Sequence, residues 1–434
     1  MYCSVIVQIP VEKEFSYTFD DRDSIKPGDL VLVPFGSKKE EIGLVVDVTS
    51  KINNGKNLPK IKKITKVFKN YNLKPSILEF INWVSRYTIN SKGQIFKMVL
   101  PKKDIINKDF KIDQKINISK TKKSIVLNND QKKALVEIKK CIKIKKTTIV
   151  LEGVTGSGKT EVYLKLTDDI IKKNLQVLIL LPEISLTPEI ESRFYNNFGF
   201  YPDIWHSKIS ISKRKKIWNL CYRGESKIVI GARSSLFLPF NKLGLIVVDE
   251  EHDTSYKQEE SVRYHARDMA IVRSKIEKIP VILSSATPSV ETFNNLQKKN
   301  YGYVYLSKQY SGYQLPRINL IDMSKEKLDK NKWISNTIIK AISNCLSNNE
   351  QSLIFLNRRG YAPLTICSSC GHRFQCNNCS SSLVMHQYKN NLICHHCGFT
   401  ITFSNFCLHC NKKDTLKFIG PGMERVEQEL KEKE

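Results

Sequence analysis

The sequence predicts an α/β protein: a doubly wound parallel sheet, preceded by a small β-rich domain and followed by a second α/β unit that a cysteine-rich module interrupts. Three observations carry this. Short apolar runs alternate with helical patterns from Leu127 onward, and a Gly-rich loop joins one such run to a helix. Eight of the twelve cysteines fall as four Cys-x-x-Cys pairs between Cys367 and Cys410.

Residues 1–101 are expected to be β-rich, because apolar stretches such as Leu30–Val33 and Ile42–Val46 are separated by turn signals; a small barrel or sandwich fits. Residues 102–125 are polar, Lys-rich and weakly periodic, which reads as a linker. In residues 126–308 the expected strands are Thr148–Leu151, Val177–Leu181, Lys227–Ile230, Leu245–Val248 and Val281–Leu283. Another run, Ser352–Leu356, is expected to open a second α/β unit over residues 309–365. The cysteine module occupies residues 366–412, and residues 413–434 return to that unit.

At 434 residues and 41% hydrophobic composition the chain can bury more than one core. Lys and Arg total 70 against 43 acids, a formal charge of +27, to which two four-thiolate zinc sites would contribute about −4. The excess favours a polyanionic partner, since Lys and Arg that neutralise phosphates release counterions. Only 14 of the basic residues are Arg, and the abundance of Asn and Ile also fits compositional drift, so charge alone does not decide the matter. The first 25 residues lack a secretory apolar region, and no run of about 18 apolar residues offers a membrane span. The expectation is a soluble, cytoplasmic, monomeric protein without a membrane partner, in which paired cysteines bind metal rather than form disulfides.

A two-residue gap lets both thiolates of a turn face one tetrahedral ion. The pairs Cys367/Cys370, Cys376/Cys379, Cys394/Cys397 and Cys407/Cys410 therefore make two four-cysteine zinc sites, with three pairings open on spacing alone. Cys3, Cys141, Cys221 and Cys345 read as ordinary free thiols, and His372, His386, His395, His396 and His409 as bystanders.

The chemistry begins at Gly153-Val154-Thr155-Gly156-Ser157-Gly158-Lys159-Thr160, which matches G-x-x-x-x-G-K-[ST] between a strand and a helix. Gly153, Gly156 and Gly158 let backbone N–H groups approach phosphates, Lys159 reaches the β- and γ-phosphates of ATP, and Thr160 ligates Mg²⁺. About ninety residues on, an apolar strand ends in Asp249-Glu250-Glu251-His252. Asp249 would face the Mg²⁺ and Glu250 would polarise the attacking water. A solvated acidic turn is the plainer alternative, and proximity to the loop argues against it.

These residues resemble the superfamily 2 helicases and, within them, the replication-restart helicases of the PriA family. Leu127–Gln131 resembles the adenine-sensing Gln motif, and Leu181–Pro188, His206-Ser207, Ile230–Phe237, Asp249–Gln258, Arg263–Asp268, Ser284–Ser289 and Phe355–Tyr361 fall in the family's order. The resemblance implies a RecA-like ATP-binding lobe and a partial second lobe, and assigns the outer cysteine pairs to one Zn²⁺ and the inner pairs to the other. It implies that Gln131 senses adenine, that His252 belongs to the catalytic set, and that Ser285-Ala286-Thr287 couples hydrolysis to strand movement. It also implies that Tyr256 and Arg263 contact DNA, although Tyr256 and Tyr264 could equally be packing residues.

The first hundred residues resemble the family's 3′-DNA-binding domain through Phe15, Tyr17, Val33–Gly36 and Leu58–Val67, with Lys62 matching its pocket lysine. Ser16 stands where the family usually has Asp, which puts selectivity for a free 3′ end in doubt. Residues 102–126 are too few for the family's winged-helix domain, and the chain stops after Gly420–Arg425, before the motifs that carry the arginine finger. The resemblance implies an ATP-dependent 3′-to-5′ DNA helicase of the replication-restart primosome. Its partners would be forked and single-stranded DNA, single-strand-binding protein, primosome loading proteins and the replicative helicase. The alternative is a truncated, non-unwinding DNA-structure binder that keeps ATP and zinc binding.

Overall fold

The computed structural model describes all residues except 21–23, 37–38, 51–60, 102–104, 107–124, 183–184, 186, 311–315, 327, 329–331 and 433–434. Most of the expected linker, residues 58–60 of the expected DNA-binding stretch and part of Leu181–Pro188 lie outside the described residues. The chain divides into two compact units, Met1–Gln314 and Leu315–Glu434.

The first unit opens with β1 (Tyr2–Val7), β2 (Phe15–Thr18), β3 (Asp29–Phe35), β4 (Lys39–Thr49) and β5 (Lys66–Asn72), paired antiparallel in the order β2-β1-β4-β3-β5. The two edges of this sheet meet in the domain, in keeping with the expected small barrel: Thr18 of β2 pairs parallel with Lys63, ahead of β5, through Thr18 N to Lys62 O at 3.0 Å and Ile64 N to Thr18 O at 2.9 Å. The rest of the domain is helical: α1 (Pro75–Thr88) starts on a proline, and α2 (Lys92–Val99) starts on a capping box between Ser91 and Gln94. Ile77, Phe80, Ile81 and Val84 recur at helical spacing and are buried, so these residues form a helix where a β-rich reading stood.

Next come α3 (Asn129–Lys143), β6 (Thr148–Gly153), α4 (Lys159–Lys172), β7 (Gln176–Leu180), α5 (Pro188–Phe198), β8 (Asp203–Trp205), α6 (Ile211–Arg223), β9 (Ile228–Gly231) and β10 (Leu243–Asp249). A short hairpin, β11 (Lys257–Gln258) and β12 (Tyr264–His265), leads to α7 (Ala266–Glu277), β13 (Val281–Ser285), α8 (Val290–Gln297) and β14 (Gly302–Leu306). Seven parallel strands form one sheet, in the order β14-β6-β13-β10-β7-β9-β8. All five expected strands are present. The two additional ones stand at the edges, where β8 is short and β14 alternates buried and exposed residues instead of reading as a continuous apolar run.

Alternation along the central strands divides the core. Leu245 and Val247 face α3, α4 and α5, whereas Ile246 and Val248 face the opposite side. That opposite side is continuous with the N-terminal domain. Trp218 Nε1 donates to Val99 O at 2.7 Å, Tyr71 OH donates to Asn219 Oδ1 at 2.9 Å, and the Phe80 and Phe237 rings lie 5.4 Å apart. Ile105 and Ile106, expected in a free linker, are buried in the same core, and Ile105 O accepts from Asn219 Nδ2.

The second unit contains α9 (Asn336–Ser347), the antiparallel pair of β15 (Leu364–Cys367) with β19 (Leu416–Ile419), and a three-stranded sheet of β16 (Val384–His386), β17 (Asn391–Ile393) and β18 (Thr400–Thr402). It ends in α10 (Met423–Lys431). The expected strand at Ser352–Leu356 does not form: no described residue pairs with it, and Leu353 and Phe355 are exposed. A parallel strand is stable only where neighbours complete its hydrogen-bond ladder, and none of the described strands does so here.

Candidate active site and metal centres

The Gly-rich loop runs from the carboxyl end of β6 into α4. Gly156 and Gly158 both adopt φ of +77°, a left-handed geometry that a side chain would strain. The loop borders a cleft of about 660 Å³, whose lining includes Lys159, Thr160, Asp249, Glu250, His252 and Thr287. Lys159 Nζ donates to Gly153 O at 2.9 Å, and burial lowers its pKa from the ordinary lysine value. A buried ammonium hydrogen-bonded to backbone carbonyls, and attracted by Glu250 and Asp249 without a salt bridge to either among the described residues, is well suited to an anion. Loop and lysine thus fit a polyphosphate, and Thr160 and Asp249 beside them provide the oxygen ligands that Mg²⁺ prefers.

β10 and its neighbours hold the acidic tetrad. Asp249 Oδ2 accepts from Tyr163 OH and Oδ1 from Ser284 Oγ, both at 2.8 Å, so α4 and β13 fix the carboxylate between them. Glu250 follows with φ of +47° as the chain turns off the strand. Burial, and then the charge of Asp249, raise its pKa above the usual carboxylate value. His252 Nδ1 lies 2.7 Å from Ser285 Oγ and 3.6 Å from Glu250 Oε2. Glu251 is fully buried, where its carboxylate accepts from Arg267 Nη1 at 3.1 Å, from Ser289 N at 2.7 Å and from Thr292 Oγ1 at 3.0 Å. The sequence motifs contain Tyr163, Ser284, Glu251 and Arg267 but give none of them a role of its own. Their partners lie 16 to 86 residues away, and no local spacing announces them.

Other expected residues sit elsewhere. Gln131 is fully buried: its Oε1 accepts from Asn128 N, and its Nε2 donates to Ser157 O at 3.1 Å. It braces the loop from behind, against Ser157 and Gly158. Tyr256 is 1% exposed and its hydroxyl is shared between Leu180 O and Asp249 O, the packing position that the sequence left open for it. Tyr264 is buried as well, whereas Arg263 is exposed. In the N-terminal domain Phe15 is half-buried edge-on to Phe35, and Lys62 Nζ donates to Gly36 O at 2.6 Å on the surface. Tyr17, also expected at DNA, is 4% exposed and belongs to the core.

The eight paired cysteines gather as two groups. Cys367, Cys370, Cys407 and Cys410 form one, and Cys376, Cys379, Cys394 and Cys397 the other, with each group's sulfurs within 4.8 Å of one another. Sulfurs 3.3 to 3.9 Å apart, as in Cys376–Cys397 and Cys379–Cys397, suit an ion with Zn–S bonds of about 2.3 Å, whose tetrahedral edge is about 3.8 Å. Outer pairs with outer and inner with inner is the arrangement expected from the resemblance. Among the described residues no His joins either group; His386 instead contacts Glu424 Oε1 at 2.7 Å and His395 at 2.8 Å.

Comparison with known proteins agrees with this layout. Residues 4–101 match the PriA 3′-DNA-binding domain family, residues 128–296 the DEAD/DEAH box helicase family, and residues 376–401 the PriA DNA helicase Cys-rich region family. The replication restart protein PriA of Rickettsia conorii is 44% identical over 98% of this chain. This chain belongs to the PriA family. It spans 64% of the length of that relative, and the Bacillus subtilis PriA is 39% identical over 65% of this chain and 35% of its own. RecG bound to a three-way DNA junction aligns with 18% identity and a TM-score of 0.37 over 55% of this chain and 29% of its own, too loosely to add to the assignment. No helix among the described residues is long and apolar enough to cross a membrane.

Proposed function

We propose that this PriA-family chain carries the ATP-driven, 3′-to-5′ translocating machinery of a replication-restart helicase, which recognises stalled forks and promotes reloading of the replicative helicase. One observation carries the reading: Lys159, Thr160, Asp249 and Glu250 line one cleft, and His252 joins that cleft to Ser285 on β13. Lys159 holds the β- and γ-phosphates. Thr160 and Asp249 would hold Mg²⁺, which when bound would supply charge neutralisation at the phosphates. Glu250, with its raised pKa, takes the proton of the water that attacks the γ-phosphorus as the bond to ADP breaks. The His252–Ser285 contact transmits the state of the cleft to the strand-moving surface.

Forked and single-stranded DNA are the substrates in this reading, and single-strand-binding protein, primosome loading proteins and the replicative helicase are its partners, acting with a cytoplasmic monomer. A second reading is favoured by Ser352–Leu356, which pairs with no described strand and leaves Phe355 exposed. On that account the 434-residue polypeptide binds ATP, zinc and forked DNA without unwinding. Steady-state ATP hydrolysis, with and without forked DNA, tests both: DNA-stimulated turnover together with strand displacement supports the motor, and binding without either supports the scaffold.

A further inference from the structure

Among the described residues lining the cleft one is a Phe, Tyr or Trp, and it comes from a segment to which no role has been given. Beyond β14, the parallel neighbour of β6, the chain runs beside the phosphate loop, where Gln309 Nε2 donates to Thr155 O at 3.1 Å and Tyr310 N donates to Gly156 O at 2.9 Å. Val154 N also donates to Leu306 O at 3.2 Å, so loop and segment are tied at three points. Tyr310 lines the cleft and is 58% exposed. The rest of the lining is Thr, Gly, Ala, His and charged residues, and none of it offers a broad apolar face. Gln131, the residue expected to read the base, is fully buried behind the loop.

We infer that Tyr310 is the residue on which the base of the bound nucleotide stacks. Base recognition then falls to the segment leaving β14, and the Gln131 side chain serves to hold the loop. The inference rests on the reading of the cleft as an ATP site. Two physical arguments support it. A purine ring is the one part of ATP that a polar, charged cleft cannot accommodate favourably, and stacking on an aromatic side chain is worth enough to locate it. The hydrogen bond from Tyr310 N is a backbone bond, so the position of the residue beside the loop is fixed in advance and the ring need not be ordered when the nucleotide arrives.

The fixed backbone also makes the test selective, because a change of side chain leaves the N–H donor to Gly156 O in place. Binding of Mg²⁺-ATP and of inorganic tripolyphosphate is measured by calorimetry for the full 434-residue chain and for Tyr310→Ala and Tyr310→Phe, with thermal melts to confirm folding. Tyr310→Ala should weaken ATP roughly tenfold or more, within the range that stacking on an aromatic supports. Tripolyphosphate affinity should stay within about twofold, and Tyr310→Phe should bind ATP like the unaltered chain. ATP affinity within twofold in Tyr310→Ala, or a parallel loss of ATP and tripolyphosphate, overturns the inference and leaves the cleft assignment standing. A folded, unaltered chain that binds neither ligand removes the cleft assignment and the inference together.

Discussion

His252 Nδ1 lies 2.7 Å from Ser285 Oγ, joining the residue that follows the acidic strand to the end of β13. Ser285 Oγ also accepts from Thr287 N at 3.0 Å, which leaves its proton free for His252. The two contacts bind the floor of the cleft to the Ser285-Ala286-Thr287 segment through a single hydroxyl. Ser285→Ala should therefore leave ATP affinity within about twofold and reduce stimulation of hydrolysis by DNA roughly tenfold or more, on the scale set by losing one to two hydrogen bonds. His252→Ala should do the same, and the double substitution should cost no more than either alone. Additive losses would show that the two residues act separately.

Lys159→Ala is expected to weaken ATP binding, whereas Glu250→Gln should keep binding and abolish hydrolysis, because one side chain holds phosphate and the other activates water. Equilibrium binding and turnover assays on both variants separate the roles. Equal loss of binding in both would refute the division of labour.

The pH dependence follows from Glu250. Its carboxyl is held above the ordinary value by burial and by Asp249, and it serves as a base only when deprotonated. Hydrolysis should rise with pH through that raised pKa, with an acid limb nearer neutrality than an unperturbed Glu would give. Since the folded-state pKa exceeds the unfolded one, the stabilising contribution of Glu250 is complete below the unfolded value and is lost as pH rises through the folded value. Glu250→Gln should accordingly be inactive and yet melt no lower than the unaltered chain at neutral pH, which paired activity and melting curves can check.

Tyr163 OH donates to Asp249 Oδ2 from a site 2% exposed. Tyr163→Phe removes a hydrogen bond to a charged acceptor, worth about 1.5–3 kcal/mol, and frees one side of the carboxylate. The Mg²⁺ concentration for half-maximal ATP binding should increase several-fold, and an unchanged Mg²⁺ dependence would show that Ser284 suffices to orient Asp249.

Two zinc ions per chain are expected on elemental analysis, because both four-sulfur groups suit a closed structural site. Chelation, or Cys376→Ser, should unfold the cysteine module and leave ATP affinity intact, since the cleft residues belong to the other compact unit. Fewer than one zinc after metal-replete expression contradicts the assignment.

In the N-terminal domain the aromatic pair Phe15 and Tyr17 should separate in its behaviour. Tyr17→Ala removes a buried ring and should cost about 3–5 kcal/mol of stability, losing DNA by unfolding. Phe15→Ala and Lys62→Ala should weaken primer-end DNA with little change in melting temperature, and binding should decline steeply with salt. Ser16→Asp should raise preference for a free 3′ end more than it raises affinity. Competition between free and blocked ends at fixed ionic strength reads the end preference, a salt titration the electrostatic part, and thermal melts the stability.

Local signals determined the parallel-sheet lobe, the phosphate loop, the acidic strand end and the eight metal-directed thiolates. Each is written within a few residues, by apolar runs of strand length, by glycines at fixed offsets or by a two-residue gap between cysteines. Tertiary structure decided what those signals could not express. Tyr17 read as a DNA-facing aromatic, and Tyr256 as that or a packing residue, until the folded chain buried them, because a side chain's exposure depends on what packs over it from distant segments. Gln131 resembles a base sensor, and only the folded chain shows its side chain also bracing the loop at Ser157 O. Ser352–Leu356 has the composition of a strand, but pairing is a property of neighbours, and the described residues supply it with none. Burial of Trp218 against α2, and with it the joining of the N-terminal domain to the parallel-sheet lobe, depends on contacts 119 residues apart that no window of sequence contains.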